Sequence, residues 1–195
     1  MSSSKRFSSV DVRKLTYISI LTALVVVLQL AGSFIRLGTF SVTLVLIPIV
    51  IGAALMGPLC GAWLGFVFGL VVLLSGDAAL FLGINPFGTV VTVLLKGTLC
   101  GLVGGLVYKL FERFDKYVAT MVAAVVCPLV NTGVFLLGSL VFFLDSIKEW
   151  AVGEGVGVGV YMFAFLVGFN FLFELLFNVV LAPVAVRLLN IRKKS

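Results

Sequence analysis

The sequence predicts an all-α membrane protein, a compact bundle of six transmembrane helices with both termini in the cytoplasm. Three observations carry this. Of 195 residues, 62% are hydrophobic and 11% charged, with a mean hydropathy of +1.27; that is too little polar surface to cover a soluble domain of this size. The apolar residues gather into six runs separated by short polar or glycine-rich breaks, which is the pattern of membrane-crossing helices. Threading those runs through a bilayer puts Lys5, Arg6, Arg13, Lys14, Lys109, Arg113, Lys116, Arg187, Arg192, Lys193 and Lys194 on one side. Arg36 and Lys148 fall on the other, and Lys96 lies inside a span. The positive-inside rule assigns the basic side, with both termini, to the cytoplasm.

On this reading the chain has a cytoplasmic tail (1–14), a membrane domain (15–189) and a basic cytoplasmic tail (190–195). The first run, Leu15 to Ala31, lacks a convincing cleavage site and is followed by five more runs, so it reads as a retained span rather than a signal peptide. Thr16, Ser19 and Ala23 give it small residues spaced for close helix contact. The second span, Phe40 to Met56, is short and carries Pro48. Gly57-Pro58 marks a tight inner turn, so the second and third spans form a hairpin. The third, Leu59 to Leu74, repeats Gly61, Gly65 and Gly69; the fourth, Pro86 to Leu110, repeats Gly97, Gly101 and Gly105. Such stripes let backbones approach closely. Pro86 suits the first turn of the fourth helix. The fifth span, Tyr117 to Leu144, holds Pro128 and Asn131. The sixth, Val158 to Leu189, holds Asn170, Glu174 and Asn178 on one face.

The net charge of +6 would suit a nucleic acid, but the basic residues flank apolar runs and read as anchors to the inner leaflet of the lipid bilayer. No nucleic-acid partner is expected. Cys60, Cys100 and Cys127 all lie in apolar segments, which argues against a disulfide scaffold. The chain contains no His. With no histidine base, no paired Asp in a span and no Ser beside a plausible base, neither catalysis nor a metal or other cofactor is expected. The glycines at 153, 155 and 157 lack the strand–turn–helix setting of a phosphate loop.

The polar residues within the spans carry what remains. Lys96 lies about ten residues into the fourth span, a rise of roughly 15 Å, where an ammonium is costly and ordinarily faces a cavity or a partner. Two readings stand: a counter-charge for an anionic ligand, or a Lys that snorkels or pairs with Glu174. Glu174 reads first as that structural partner, with Asn178 beside it. Asn131 and Asn170 lie at similar depth on different spans, and Asn85 guards the outer entry of the fourth; together they suit a shared polar pocket, although each alone is more often helix–helix glue. Gln29, at the outer end of the first span, and Arg36, just beyond it, stand at the mouth. Trp63 lies within the third span. Phe81, Phe87 and Trp150 are placed to lid a pocket from outside.

Three stretches carry a family resemblance: TYISILTALVVVLQL (Thr16 to Leu30), IPIVIGAALMGPLCGAWLGFVFGLV (Ile47 to Val71) and INPFGTVVTVLLKGTLCGLVGGLVYKL (Ile84 to Leu110). With the six-span plan they resemble the S component, the substrate-binding membrane subunit, of energy-coupling factor (ECF) vitamin transporters, and the likeness spans nearly the whole chain. The INPF and LLKG stretches look most like the pantothenate type. The resemblance implies the S-component fold in a bacterial cell membrane, high-affinity vitamin binding near the outer face, and loops that cap the pocket. It implies partnership with the membrane coupling protein EcfT and two cytoplasmic ATPases, which would supply the energy. In that family an alanine-x-x-x-alanine pattern on the first helix meets the coupling protein; here Ser19 to Ala23 is the nearest match, beside Thr16. Substrate-binding residues are then expected among Lys96, Asn131, Asn170, Asn85, Arg36, Gln29 and Trp63. Riboflavin and folate are the alternative vitamins, and a stand-alone permease using Glu174 as proton carrier or a purely structural subunit are the alternative classes.

Overall fold

A computed structural model describes residues 9–34, 36, 37, 40, 41 and 43–191 of the chain. The outermost basic residues, Lys5, Arg6, Arg192, Lys193 and Lys194, lie outside them, as does most of each predicted tail. Helix α1 (Ser9–Ser33) starts within the stretch expected to be a tail. It leads through a hairpin of two short strands, β1 (Arg36–Leu37) and β2 (Phe40–Ser41), paired Arg36 to Ser41 and Leu37 to Phe40. Then follow α2 (Leu46–Met56), α3 (Pro58–Leu74), the short α4 (Ala79–Ile84), α5 (Pro86–Phe111) and α6 (Lys116–Phe142). The chain ends with α7 (Leu144–Gly153), a turn of α8 (Val158–Val160) running into a π-helical segment (Tyr161–Val167), and α9 (Gly168–Ile191).

Local chemistry explains the helix ends. Gly57 takes φ +96°, a conformation favouring glycine, and Pro58 opens α3 at once, giving the sharp α2–α3 turn. Asn85 caps α5: its Oδ1 accepts from the Gly88 N–H at 2.9 Å, with Pro86 in the first turn. Asp115 caps α6 in the same way, accepting from Val118 N–H at 2.8 Å.

The α3–α5 pair forms the most extensive helix interface. The two run antiparallel, with Gly61 against Gly101, Gly65 against Gly97 and Gly69 against Val93. A Cβ built on Gly65 would collide with the Gly97 carbonyl, and one on Gly101 with the Gly61 carbonyl, so backbone meets backbone along the seam. Around it, Val25 of α1, Ile49 of α2, Leu64 and Phe68 of α3 and Cys127 of α6 build the main buried core.

Four helical stretches are long and apolar enough to cross a membrane: Val12–Ser33, Pro86–Phe111, Lys116–Phe142 and Asn170–Arg187. A fifth appears if the pair Leu144–Gly153 and Val158–Val167, bent by 98°, counts as one. Among the described residues, length and composition thus show four or five crossings and not all of the six expected. Helix α2, at 11 residues, begins at Leu46 rather than Phe40 because the hairpin takes up the preceding chain. It rises about 16 Å, and the 17-residue α3 about 25 Å, against a hydrocarbon core of roughly 30 Å. The expected sixth span is broken: Gly168, with φ +29°, leaves helical geometry between the π-helical segment and the rest of α9. The acidic, glycine-rich stretch after α6 is not wholly loop, since α7 occupies its first half.

Candidate binding site

A cavity lies at the end of the bundle where α3 and α6 finish and α5 and α9 start. The basic residues Lys109, Lys116 and Arg187 lie toward the opposite ends of their helices, with Arg113 in the turn between α5 and α6. The cavity volume is about 90 Å³, on a measure in which one water needs about 10–15 Å³.

Helix α5 presents Thr89, Thr92 and Lys96, spaced three and four apart and therefore on one face. Helix α6 adds Asn131, Thr132 and Phe135; α9 adds Asn170, Phe171 and Glu174 from its first two turns. Leu166 and Val167, just before the break at Gly168, share that wall. Thr43, preceding α2, and Asp77, in the α3–α4 turn, complete the polar lining.

Lys96 is partly buried, and it lines the cavity. Its Nζ lies 5.5 Å from the Phe135 ring centroid and 5.6 Å from that of Phe68, within cation–π range. It makes no ion pair with Glu174 or Asp77, although both carboxylates are near enough for their fields to act on it. Of the two readings of Lys96, the ion pair with Glu174 is thus not formed. Glu174 lines the cavity itself and takes the Thr43 hydroxyl and N–H as hydrogen-bond donors. A cation thus faces a chamber that also contains two carboxylates, amide groups and hydroxyls, walled by aromatic rings. Such a chamber can hold a polar organic solute with an anionic end.

Residues 13–187 match the family model described as ECF transporter, substrate-specific component. The chain belongs to this family. Neither the curated proteins nor the solved structures give a match. Membership makes the chain a membrane transporter component rather than an enzyme. It implies a small-molecule substrate and assembly with EcfT and the ECF ATPases.

Within this S component the cavity gathers Lys96, Asn131 and Asn170, but other expected site residues stand elsewhere. Asn85 spends its side chain on the α5 cap and is not part of the lining. Trp63 is about half exposed on α3, its Nε1 donating to Thr22 Oγ1 of α1 at 3.3 Å, far from the cavity wall. Gln29 is fully buried behind the lining, donating through Nε2 to Asp77 Oδ2 at 3.0 Å. The side chain of Arg36 lies outside the described residues. Asn178 is buried one turn beyond Glu174 and donates back to the Glu174 carbonyl at 2.7 Å, an intrahelical bond. On α1, Thr16, Ser19 and Ala23 are exposed, the two hydroxyls donating to the Val12 and Leu15 carbonyls at 2.9 Å.

Of the three expected lid rings, Phe81 lines the cavity and stands edge-on to Phe143 at 4.9 Å. Trp150 backs Phe81 at 6.1 Å. Phe87 is instead largely exposed, packing edge-on to Phe142.

The residues missed by sequence reasoning are Asp77 and the threonines 43, 89, 92 and 132. The spacing of Thr89 and Thr92 to Lys96 was a usable signal; nothing in the pattern pointed to Thr43.

Proposed function

We propose that this S component binds a vitamin bearing a carboxylate, pantothenate before folate, in the cavity between α5, α6 and α9; riboflavin, which has no carboxylate, is the alternative. In the membrane the cavity opens to the outside, both termini lie in the cytoplasm, and α2, α3 and the bent α7–α8 segment complete the six-pass path despite their length. The separation of the cavity from the basic helix ends supports this orientation. The coupling protein meets the small-residue face of α1, where Thr16, Ser19 and Ala23 are uncovered.

The observation that carries the reading is Lys96: a cation in a cavity wall, held between two phenylalanine rings, with neither nearby carboxylate in ion-pair contact. An unpaired ammonium at membrane depth is expensive, and a ligand carboxylate would complete it. Asn131, Asn170 and the wall threonines then meet the hydroxyl and amide groups of the rest of the molecule. Isothermal titration of the purified protein with pantothenate, riboflavin and folate tests this directly. Tightest binding is expected for pantothenate; tightest binding of riboflavin, whose recognition rests on ring contacts, would reject the carboxylate anchor.

A further inference from the structure

The α3–α4 turn places one carboxylate in an unusual position. Asp77 Oδ2 accepts three hydrogen bonds, from Gln29 Nε2 at 3.0 Å, Ser33 Oγ at 2.9 Å and Ser75 Oγ at 2.9 Å. Gln29 and Ser33 come from α1 and Ser75 from the end of α3, so the carboxylate is clamped from two helices. Its other oxygen, Oδ1, is buried and has no hydrogen-bond partner, although Asp77 is part of the cavity wall.

Two further lining residues share this condition. Asn131 and Thr92 are each only 4% exposed, and Asn131 Oδ1 and Thr92 Oγ1 lack partners. An ionised carboxylate oxygen and an amide carbonyl can only accept, and burying either without a donor costs free energy, more so for the charged group. Lys96, the cation of the cavity, makes no hydrogen bond to Asp77 or Asn131 that would supply this need. The wall therefore has one cation without a counter-ion and a pair of acceptors without donors.

We propose that Asp77, oriented by Gln29, Ser33 and Ser75, is a specificity-determining residue: its Oδ1 accepts a hydrogen bond from a hydroxyl or N–H group of a ligand whose anionic group lies at Lys96. The substrate class is thus an organic anion that also carries O–H or N–H donors at its other end, with Asn131 Oδ1 and Thr92 Oγ1 as the adjoining contacts. A simple carboxylate of the same shape but without donors leaves Oδ1 buried and unsatisfied, and is rejected for that reason. The inference rests on the reading of this cavity as the vitamin site, but not on which carboxylate vitamin fills it.

The test uses the full chain in lipid nanodiscs, titrated with pantothenate, riboflavin, folate, and a pantothenate analogue lacking both hydroxyls. The wild-type protein is expected to bind pantothenate on the order of 100-fold more tightly than the deoxy analogue; this arm needs no variant and so does not depend on any variant folding. Asp77→Asn keeps the acceptor for the three clamping donors and turns the free position into an N–H donor. It is expected to weaken the bound vitamin by roughly 10- to 100-fold, the worth of a hydrogen bond to a charged group, and to shrink the preference over the deoxy analogue to within about tenfold, while thermal unfolding without ligand stays close to wild type. If folate binds instead of pantothenate and Asp77→Asn weakens it likewise, the inference stands and only the choice of vitamin is wrong; tightest binding of riboflavin, which has no anionic group to set at Lys96, would overturn it. Equal wild-type affinity for pantothenate and its deoxy analogue, or a vitamin bound as tightly by Asp77→Asn as by wild type, would overturn the inference and leave the vitamin reading intact.

Discussion

Helices α3 and α5 are built in two different ways along one contact. Over the half holding Gly61, Gly65, Gly97 and Gly101 they touch backbone to backbone with no room for a methyl group. Toward the other end, past Gly69 and Val93, the lining side chains Val72, Thr89 and Thr92 mark where the helices contribute to a chamber instead. Neighbouring positions on α5 show the division most sharply: Gly97 faces the α3 seam while Lys96, about 100° away around the helix, faces the cavity. The contrast separates rigidity from recognition. The seam fixes α5 against α3, and that fixed helix then holds an ammonium where no neighbouring carboxylate closes on it.

Substitutions can break or sharpen that division. The largest effect is expected in the seam. Gly65→Leu drives a side chain into the Gly97 carbonyl, and since both sides are backbone the strain cannot be relieved by a rotamer change. Loss of the monodisperse peak in size-exclusion chromatography is expected; a normal peak with unchanged unfolding temperature would show that the seam yields. A smaller effect is expected at Asn85. Removing its cap to α5 by Asn85→Ala should cost about 1 kcal/mol of stability and leave ligand affinity within about twofold, read by thermal unfolding and titration side by side. A large affinity loss with stability unchanged would restore Asn85 to the binding site. The smallest is Trp63→Phe, which removes one long hydrogen bond to Thr22 on an exposed face. Stability should change by less than roughly 0.5 kcal/mol and binding not at all; a measurable affinity change would place the site on the wrong face of α3.

These residues also show what the sequence could reveal. The Gly57-Pro58 turn, the start of α5 at Asn85-Pro86 and both glycine stripes are local signals, and each corresponds to a structural element because backbone conformation and helix capping are decided within a few residues. Lys96, Asn131 and Asn170 stood out because polar groups inside apolar runs are rare, and the three do line one cavity. Gln29 and Trp63 are equally rare by that rule yet stand behind or away from it, because which face a residue occupies depends on how its helix is rotated against its neighbours. Asp77 escaped notice because it lies in what reads as a mixed polar and aromatic outer loop; only the folded chain brings Gln29 and Ser33 of α1 to its carboxylate. The break at Gly168 was hidden by unbroken hydrophobicity on both sides, and α2 looked longer than it is because the β-rich residues before it are just as apolar.

The central claim is that Lys96 is held open for a ligand's negative charge. The most direct measurement is the affinity of purified wild-type and Lys96→Met protein for the carboxylate vitamin, with thermal unfolding recorded on the same samples. Removing one partner of a desolvated charge pair costs about 2–5 kcal/mol, so affinity should fall by roughly 30- to 4,000-fold while the unliganded protein unfolds at or above the wild-type temperature, because a buried cation has been replaced by an apolar side chain of similar length. Equal affinity in the two folded proteins would contradict the account, since the charge would then play no part in holding the ligand.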